Sequence, residues 1–460
     1  MAATTRNPFV MIPALTYPAH ARATLALGLP LIGSHLAQMA LHVTDTVLLG
    51  WYGVNELAAV VLATSTFFVV FILGSGFAQA VMPLVAQALG QGDETRVRRE
   101  TRMGLWLSIG FGVISYPLFW WSGPLMLALG QNPQVAALAQ DFLRIAGLGM
   151  IPALLVMALK SYLAALERTQ VVLWTTMAAV AVNGVLAYAL IFGHFGVPEL
   201  GVRGAAFSSV FVQVMTFVLI AVYAAWQPGL RRFRLFQRFW RPDWPAMGQV
   251  FRLGWPIGLT GLAESGLFQA TALMMGWIGT VELAAHGITM EVAALTFMVH
   301  LGLSNAATVR AGRADGAGDG RGLRDGARVA IALSFGFGCA MVVMFLTLAN
   351  PIIALFLDES KPASAAITAY GVQLLAVAAL FQLTDAMQVM ALGLLRGIRD
   401  TRVPMFAAAV SYWLIGIPVG YALAFPMGWG GFGLWLGLVI GLLFAAVSMM
   451  WRFWHLARKS

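Results

Sequence analysis

The chain has 460 residues, of which 60% are hydrophobic and only 10% charged, and its mean hydropathy is +0.81. An ordinary soluble domain carries about 25% charged residues, and a water-facing surface cannot be covered with so few, whereas a surface solvated by lipid tails needs few charges and tolerates them badly. Soluble classes are thereby excluded, and an all-α polytopic membrane protein is expected.

Apolar stretches long enough to cross a bilayer, roughly 20 residues each, fall near 25–50, 57–82, 103–129, 137–159, 170–192 and 204–226, then near 253–279, 284–309, 329–349, 364–395, 403–425 and 433–453. The first follows Arg6 and Arg22 but is too long for the apolar core of a signal peptide and lacks a small-residue cleavage site, so it reads as a retained helix. Cys339, the single cysteine, sits in the run SFGFGCAMVVMFL, where it reads as a small packing residue.

Charge placement supports twelve spans. With the N-terminus assigned to the cytoplasm, alternate connecting segments hold 25 of the 28 Lys and Arg residues, Lys160, Arg168 and Arg396 among them, and leave Arg144, Arg203 and Lys361 elsewhere. This is the positive-inside pattern, and it predicts both termini in the cytoplasm. The net charge of +9 then reports orientation in the membrane, which disfavours a nucleic-acid partner.

The two sets of six spans echo one another. GWYGVNELAA at 50–59 returns as GWIGTVELAA at 276–285, 226 positions later, and at the same offset Leu27, Gly28 and Pro30 meet Leu253, Gly254 and Pro256 while Gly90, Gly92 and Asp93 meet Gly316, Gly318 and Asp319. LAALERTQ (163–170) faces LRGIRDTR (395–402) at a slightly longer offset. Since six is even, each half starts and ends on the same side, so the repeats are parallel and related by a pseudo-two-fold axis along the membrane normal. Lobes of 1–235 and 236–460 are expected, joined by the basic segment PGLRRFRLFQRFWRPDWP (228–245). Pro30 and Pro256 each remove a backbone donor early in a helix and predict matched kinks.

Four carboxylates fall inside spans: Asp45, Glu264, Glu291 and Asp385. A charge at mid-bilayer costs about 2.5 kcal/mol or more on insertion scales, so such groups face a cavity or a partner. His35, Gln38, His42 and Asp45 share one face of the first helix, a polar stripe that suits either a proton relay through the two histidines or an interhelical hydrogen-bonding seam. Glu264 lies about 16 Å into its span at 1.5 Å per residue, and Asp385 shares a face with Gln382 and Gln388. Desolvated carboxylates suit proton coupling, while added amide oxygens suit Na⁺, and the residues leave both open.

VTDTVLLG (43–50), GLAESGLF around Glu264, VELAAHGI (281–288), FQLTDAMQVMALGLLRGIRD (381–400) and GWGGFGLWLGLVIG (428–441) together resemble the multidrug and toxic compound extrusion (MATE) family, in its bacterial NorM-type branch, from about residue 22 to 453. The resemblance implies a bacterial inner-membrane antiporter for drug resistance. It would export cationic amphipathic compounds such as ethidium against inward Na⁺ or H⁺, by alternating access, as a monomer without a cofactor. It also implies that Glu264 and Asp385 are cation-coupling acids, with Na⁺ as a candidate ligand, that Asp45 is the acid of the first lobe and that Asn183 is its polar partner on the fifth helix. Glu291 and His300 stand where the family pattern has an amide and a proline.

The leading alternative is a lipid-linked saccharide flippase of the same broad superfamily, which would require a cationic cleft where the embedded charges are chiefly acidic. A major-facilitator carrier is disfavoured because the loop VAQALGQGDETRVRRE (85–100) lacks that family's G-x-x-x-D-R-x-G-R-R pattern. An enzyme is disfavoured because no metal-binding histidine motif or nucleophile motif is present.

Overall fold

The computed structural model describes residues 15–128, 130–357 and 362–459, so Arg6 and Lys361 lie outside the described residues. Lipid offers no partner for a backbone amide or carbonyl, and helices satisfy these groups within the segment. Twelve long helices account for most of the chain, with no strand among the described residues. In the first half these are α1 (Tyr17–Tyr52), α2 (Val54–Gly90), α3 (Glu94–Trp120), α4 (Pro133–Ala165), α5 (Thr169–Phe192) and α6 (Val202–Trp226). The second half has α7 (Trp244–Ile278), α8 (Thr280–Ala317), α9 (Gly320–Thr347), α10 (Ser364–Gly397), α11 (Arg402–Ala424) and α12 (Gly430–Ala457). Eleven are long and apolar enough to cross a membrane by length and composition alone. The twelfth, α7, has 35 residues and is diluted by Glu264, Gln269 and its glycines. Pro30 and Pro256 lie inside continuous α1 and α7. A 3-10 turn at Gly147–Gly149 interrupts α4, and a π turn at Val410–Gly416 interrupts α11.

The helices outrun the apolar spans at the basic end, because polar first turns are stabilised locally. Asp93 Oδ1 accepts from Arg96 N at 2.9 Å and caps α3, and Asp319 Oδ1 accepts from Gly322 N at 2.8 Å and caps α9. Side-chain oxygens at these positions satisfy amides left open by the first turn. Gly92 and Gly318 precede the two caps with φ of 72° and 70°, a left-handed conformation that glycine adopts without strain.

The repeated ten-residue motif serves the opposite end. One glycine, Gly53 or Gly279, separates α1 from α2 and α7 from α8, and Glu56 or Glu282 folds back so closely that a Cβ on the glycine would collide with its carboxylate. A carboxylate in the first turn also meets the positive end of the helix dipole.

Contacts between the halves obey the same symmetry. α1 packs on α8 as α7 packs on α2, and α2 meets α8 along the axis. A Cβ on Gly90 would strike the Arg313 carbonyl of α8, and one on Gly316 would strike the Gln87 carbonyl of α2, reciprocal contacts at the 226-residue offset. Gly76 abuts Gly254 and Gly258 in the same way. The seam is reinforced near the basic segments, where Gln87 Nε2 donates to Asp315 Oδ2 at 2.6 Å and Arg313 pairs with Glu167 at 2.6 Å.

The segment between the halves is bound down. Leu230, Phe233 and Leu235 are buried, Arg102 Nη1 donates to the carbonyls of Gln237 and Arg238 at 2.7 and 3.1 Å, and Trp106 Nε1 donates to that of Phe239 at 2.9 Å. Asp243 accepts from Arg99 and, at 3.1 Å, from Ala246 N at the start of α7. The basic linker is therefore strapped along α3.

Candidate functional site

In the first half, Asp45 on α1 is half-buried, and Asn183 on α5, fully buried, donates from Nδ2 to Asp45 Oδ1 at 2.6 Å. Ser208 on α6 donates to Asn183 Oδ1 at 3.1 Å. Three helices are thereby joined through one amide, because a group with both a donor and an acceptor can relay between an acid and a hydroxyl.

In the second half, Gln382, Asp385 and Gln388 are buried on one side of α10. Gln382 Nε2 donates to Thr296 Oγ1 on α8 at 2.5 Å, and Gln388 Nε2 donates to the Tyr412 hydroxyl on α11 at 2.7 Å. Both amides spend their donors on neighbouring helices. Gln382 Oε1, Asp385 Oδ1 and Gln388 Oε1 are buried without a hydrogen-bond partner among the described residues, which leaves three oxygen acceptors in an apolar setting. Glu264 on α7 is half-buried and within electrostatic reach of both Asp385 and Arg396. Unpaired buried oxygens are costly, and a proton or a cation satisfies them. Among the described residues no three His, Cys, Asp or Glu side chains gather as metal ligands, so a Na⁺ here would draw on the amide oxygens as well as the acids.

The polar stripe on α1 divides. His35 and Gln38 line a cavity of about 180 Å³ between the halves, and His35 Nε2 lies 3.1 Å from the Asn305 amide of α8. His42 is exposed, Asp45 turns to Asn183, and no hydrogen bond joins His35, His42 and Asp45 among the described residues. Glu291 is exposed on α8, apart from the buried acceptors. His300 is buried, with Nδ1 2.8 Å from Ser334 Oγ, its edge against Phe337 and Nε2 unpartnered.

Two charges belong elsewhere than the charge pattern places them. Lys160 and Arg396, assigned by sequence to connecting segments, lie within α4 and α10 and line the same cavity as His35. The apolar residues on both sides of Lys160 in LLVMALKSYLAAL were the available signal. Thr296, Ser208 and Tyr412 gave none, since lone hydroxyls in apolar helices look like packing.

Two equivalent six-helix halves, a cavity between them and buried polar groups in each define a polytopic membrane transporter. Comparison with known proteins identifies which kind. The MatE family model matches residues 30–189 and 256–422, and the chain belongs to that family. It is 47% identical over 444 residues to the probable multidrug resistance protein NorM of Rhizobium meliloti (strain 1021), covering 96% of this chain and 95% of that protein. It is 40% identical over 445 residues to the multidrug resistance protein NorM of Burkholderia vietnamiensis, covering 96% and 95%. Among solved structures, the eukaryotic MATE transporter AtDTX14 superposes with a TM-score of 0.84 at 20% identity, covering 96% of this chain and 98% of that one. A MATE in complex with MaL6 superposes with a TM-score of 0.87 at the same identity and coverage. The twelve-helix fold is the one expected, and the protein is a transporter and not an enzyme.

Proposed function

We propose that this protein is a multidrug efflux antiporter of a bacterial inner membrane, with both termini cytoplasmic, acting as a monomer. It exports cationic amphipathic compounds in exchange for inward Na⁺ or H⁺, by rocking of lobes 1–235 and 236–460. The observation that carries the reading is Asp385, buried with Oδ1 unpartnered between the equally unpartnered oxygens of Gln382 and Gln388, and within electrostatic reach of Glu264. Such a group is satisfied by one cation at a time. Inward ion and outward substrate therefore compete for it, and competition yields exchange. Asp45, held by Asn183, gives the first lobe an acid of its own. The names of the NorM relatives support drugs as cargo. Pro30 and Pro256 supply matched points at which α1 and α7 bend.

Ethidium efflux from proteoliposomes, driven separately by a Na⁺ gradient and by a pH gradient, tests this. Asp385→Asn and Glu264→Gln are each expected to insert normally and to lose coupled efflux, and full ion-driven export by both would refute the assignment. Efflux driven by Na⁺ alone would make Gln38, Asn183, Gln382 and Gln388 ligand candidates. Efflux driven only by the pH gradient would make His35 and His42 relay candidates. A lipid-linked saccharide flippase is the second reading, favoured by Lys160 and Arg396 in the inter-half cavity, and translocation of a fluorescent lipid-linked oligosaccharide in proteoliposomes, with no ethidium efflux under either gradient, would establish it in place of the first.

A further inference from the structure

The linker strapped along α3 has two unlike faces. Leu230, Phe233 and Leu235 are buried, and Phe236 and Phe239 pack on the same core, so its apolar side is spent on the protein. The other side presents Arg231, Arg232, Arg234, Arg238 and Arg241, all exposed. Arg232 meets Glu94 at 3.4 Å, but the other four form no ion pair with a carboxylate among the described residues. Hydrogen-bonded turns close from Arg231 to Arg234, from Arg234 to Gln237 and from Arg238 to Arg241 at 3.1, 3.0 and 3.1 Å. The backbone thereby keeps like charges in a short, compact segment.

The indoles beside these charges decide what neutralises them. Trp226 ends α6 and Trp244 begins α7, and Trp226, Trp240 and Trp244 are 68%, 72% and 71% exposed. The junction of two membrane helices lies at the level of the lipid headgroups, where an indole keeps its ring in the apolar layer and its N–H wet. An aqueous acidic partner would account for the arginines and leave the three indoles in water. We propose that this strap is a docking surface for anionic phospholipid, whose headgroups pair with Arg231, Arg234, Arg238 and Arg241 while Trp226, Trp240 and Trp244 lie against the adjoining acyl chains. Guanidinium suits the role because its planar fork matches phosphate oxygens. Arg102 and Trp106 already hold the segment in place, so lipid binding orders little further chain, unlike the docking of a loose basic tail. The inference rests on the membrane placement of α6 and α7, and on neither the coupling ion nor the cargo.

Quenching of a bimane label on the strap tests it. Full-length protein carrying Gln237→Cys and Cys339→Ser is labelled and reconstituted in phosphatidylcholine vesicles that contain, at equal mole fraction, either phosphatidylglycerol or phosphatidylcholine spin-labelled near the head of the acyl chain. Spin-labelled phosphatidylglycerol is expected to quench at least about twofold more strongly, and salt at about 1 M, which screens beyond ~3 Å, should remove the excess. Replacing Arg231, Arg234, Arg238 and Arg241 by Gln together should bring quenching to the phosphatidylcholine level. Replacing Arg22, Arg402, Arg458 and Lys459 by Gln, an equal loss of charge elsewhere, should leave the excess in place. Equal quenching by the two lipids in the otherwise unaltered labelled protein overturns the proposal with no arginine variant needed. In that case a shift of bimane emission on adding soluble polyglutamate would assign the surface to an acidic protein. An excess that survives loss of the four strap arginines, or that the control set removes equally, also overturns it. Displacement by glycerol phosphate at matched ionic strength would do the same, in favour of a soluble anion. Because no gradient is applied, loss of ion-driven ethidium export and loss of lipid selectivity are separate failures.

Discussion

The hydrogen bond from Asn183 to Asp45 is the narrowest point of the first half, since the same amide also accepts from Ser208. Asn183→Ala leaves a carboxylate oxygen and a buried hydroxyl without their partner, a loss of about 1–3 kcal/mol. Its Tm in detergent is expected to fall, and ethidium efflux at matched expression is expected to fall further than stability alone explains. A serine at 183 should restore more of both than alanine. At this scale the sequence was legible for acids and illegible for their neighbours. Asp385 stands out as a charge in an apolar run, but Tyr412, which accepts from Gln388, looks like any packing aromatic. Lys160 misled because a basic residue near a span end fits the positive-inside pattern as well as it fits a cavity wall.

Among the elements, the start of α7 offers a test by pH. Asp243 caps that helix and accepts from Arg99 on α3, and the guanidinium holds its carboxyl below the ordinary carboxylate range, ahead of the opposing effect of burial. A depressed value in the folded state means the tether contributes fully above the unfolded value near 4 and is lost as pH falls through the folded value below that. Protection factors for amide exchange across 227–243, corrected for the intrinsic pH dependence of exchange, are expected to stay flat from pH 8 to pH 5 and to fall on acidification below about 4. Asp243→Asn should be less protected throughout and lose that fall. Element order was readable because apolar runs and alternating charge are local signals. Helix ends were not, since caps such as Asp93 and Asp319 extend α3 and α9 well beyond the apolar residues that announce them.

For the whole molecule, the contact between Gln87 and Asp315 joins the halves where glycine lets α2 and α8 approach. Cysteines at these two positions, with Cys339→Ser to remove the native thiol, are expected to crosslink on oxidation and to stop ethidium efflux, with recovery on reduction. Efflux that continues through a complete crosslink would show that this seam need not open. The duplication was visible in the sequence from one offset repeated at distant points. Which end of the halves closes was not, because it depends on tertiary contacts between glycines that a linear pattern does not rank.

The strapped linker adds a mechanical consequence. Arg102, Trp106 and Arg99 fasten 237–243 to α3, so the covalent connection between the halves has little slack and ends at the first turn of α7. Rocking of the halves, as proposed, must part the basic end within the reach of this tether, whereas the far mouth has no linker to limit it. Across a hydrocarbon core of ~30 Å, each degree of relative rotation changes the separation there by about 0.5 Å. The tether therefore limits the opening where the chain crosses over more than it does at the end of the two single-glycine turns.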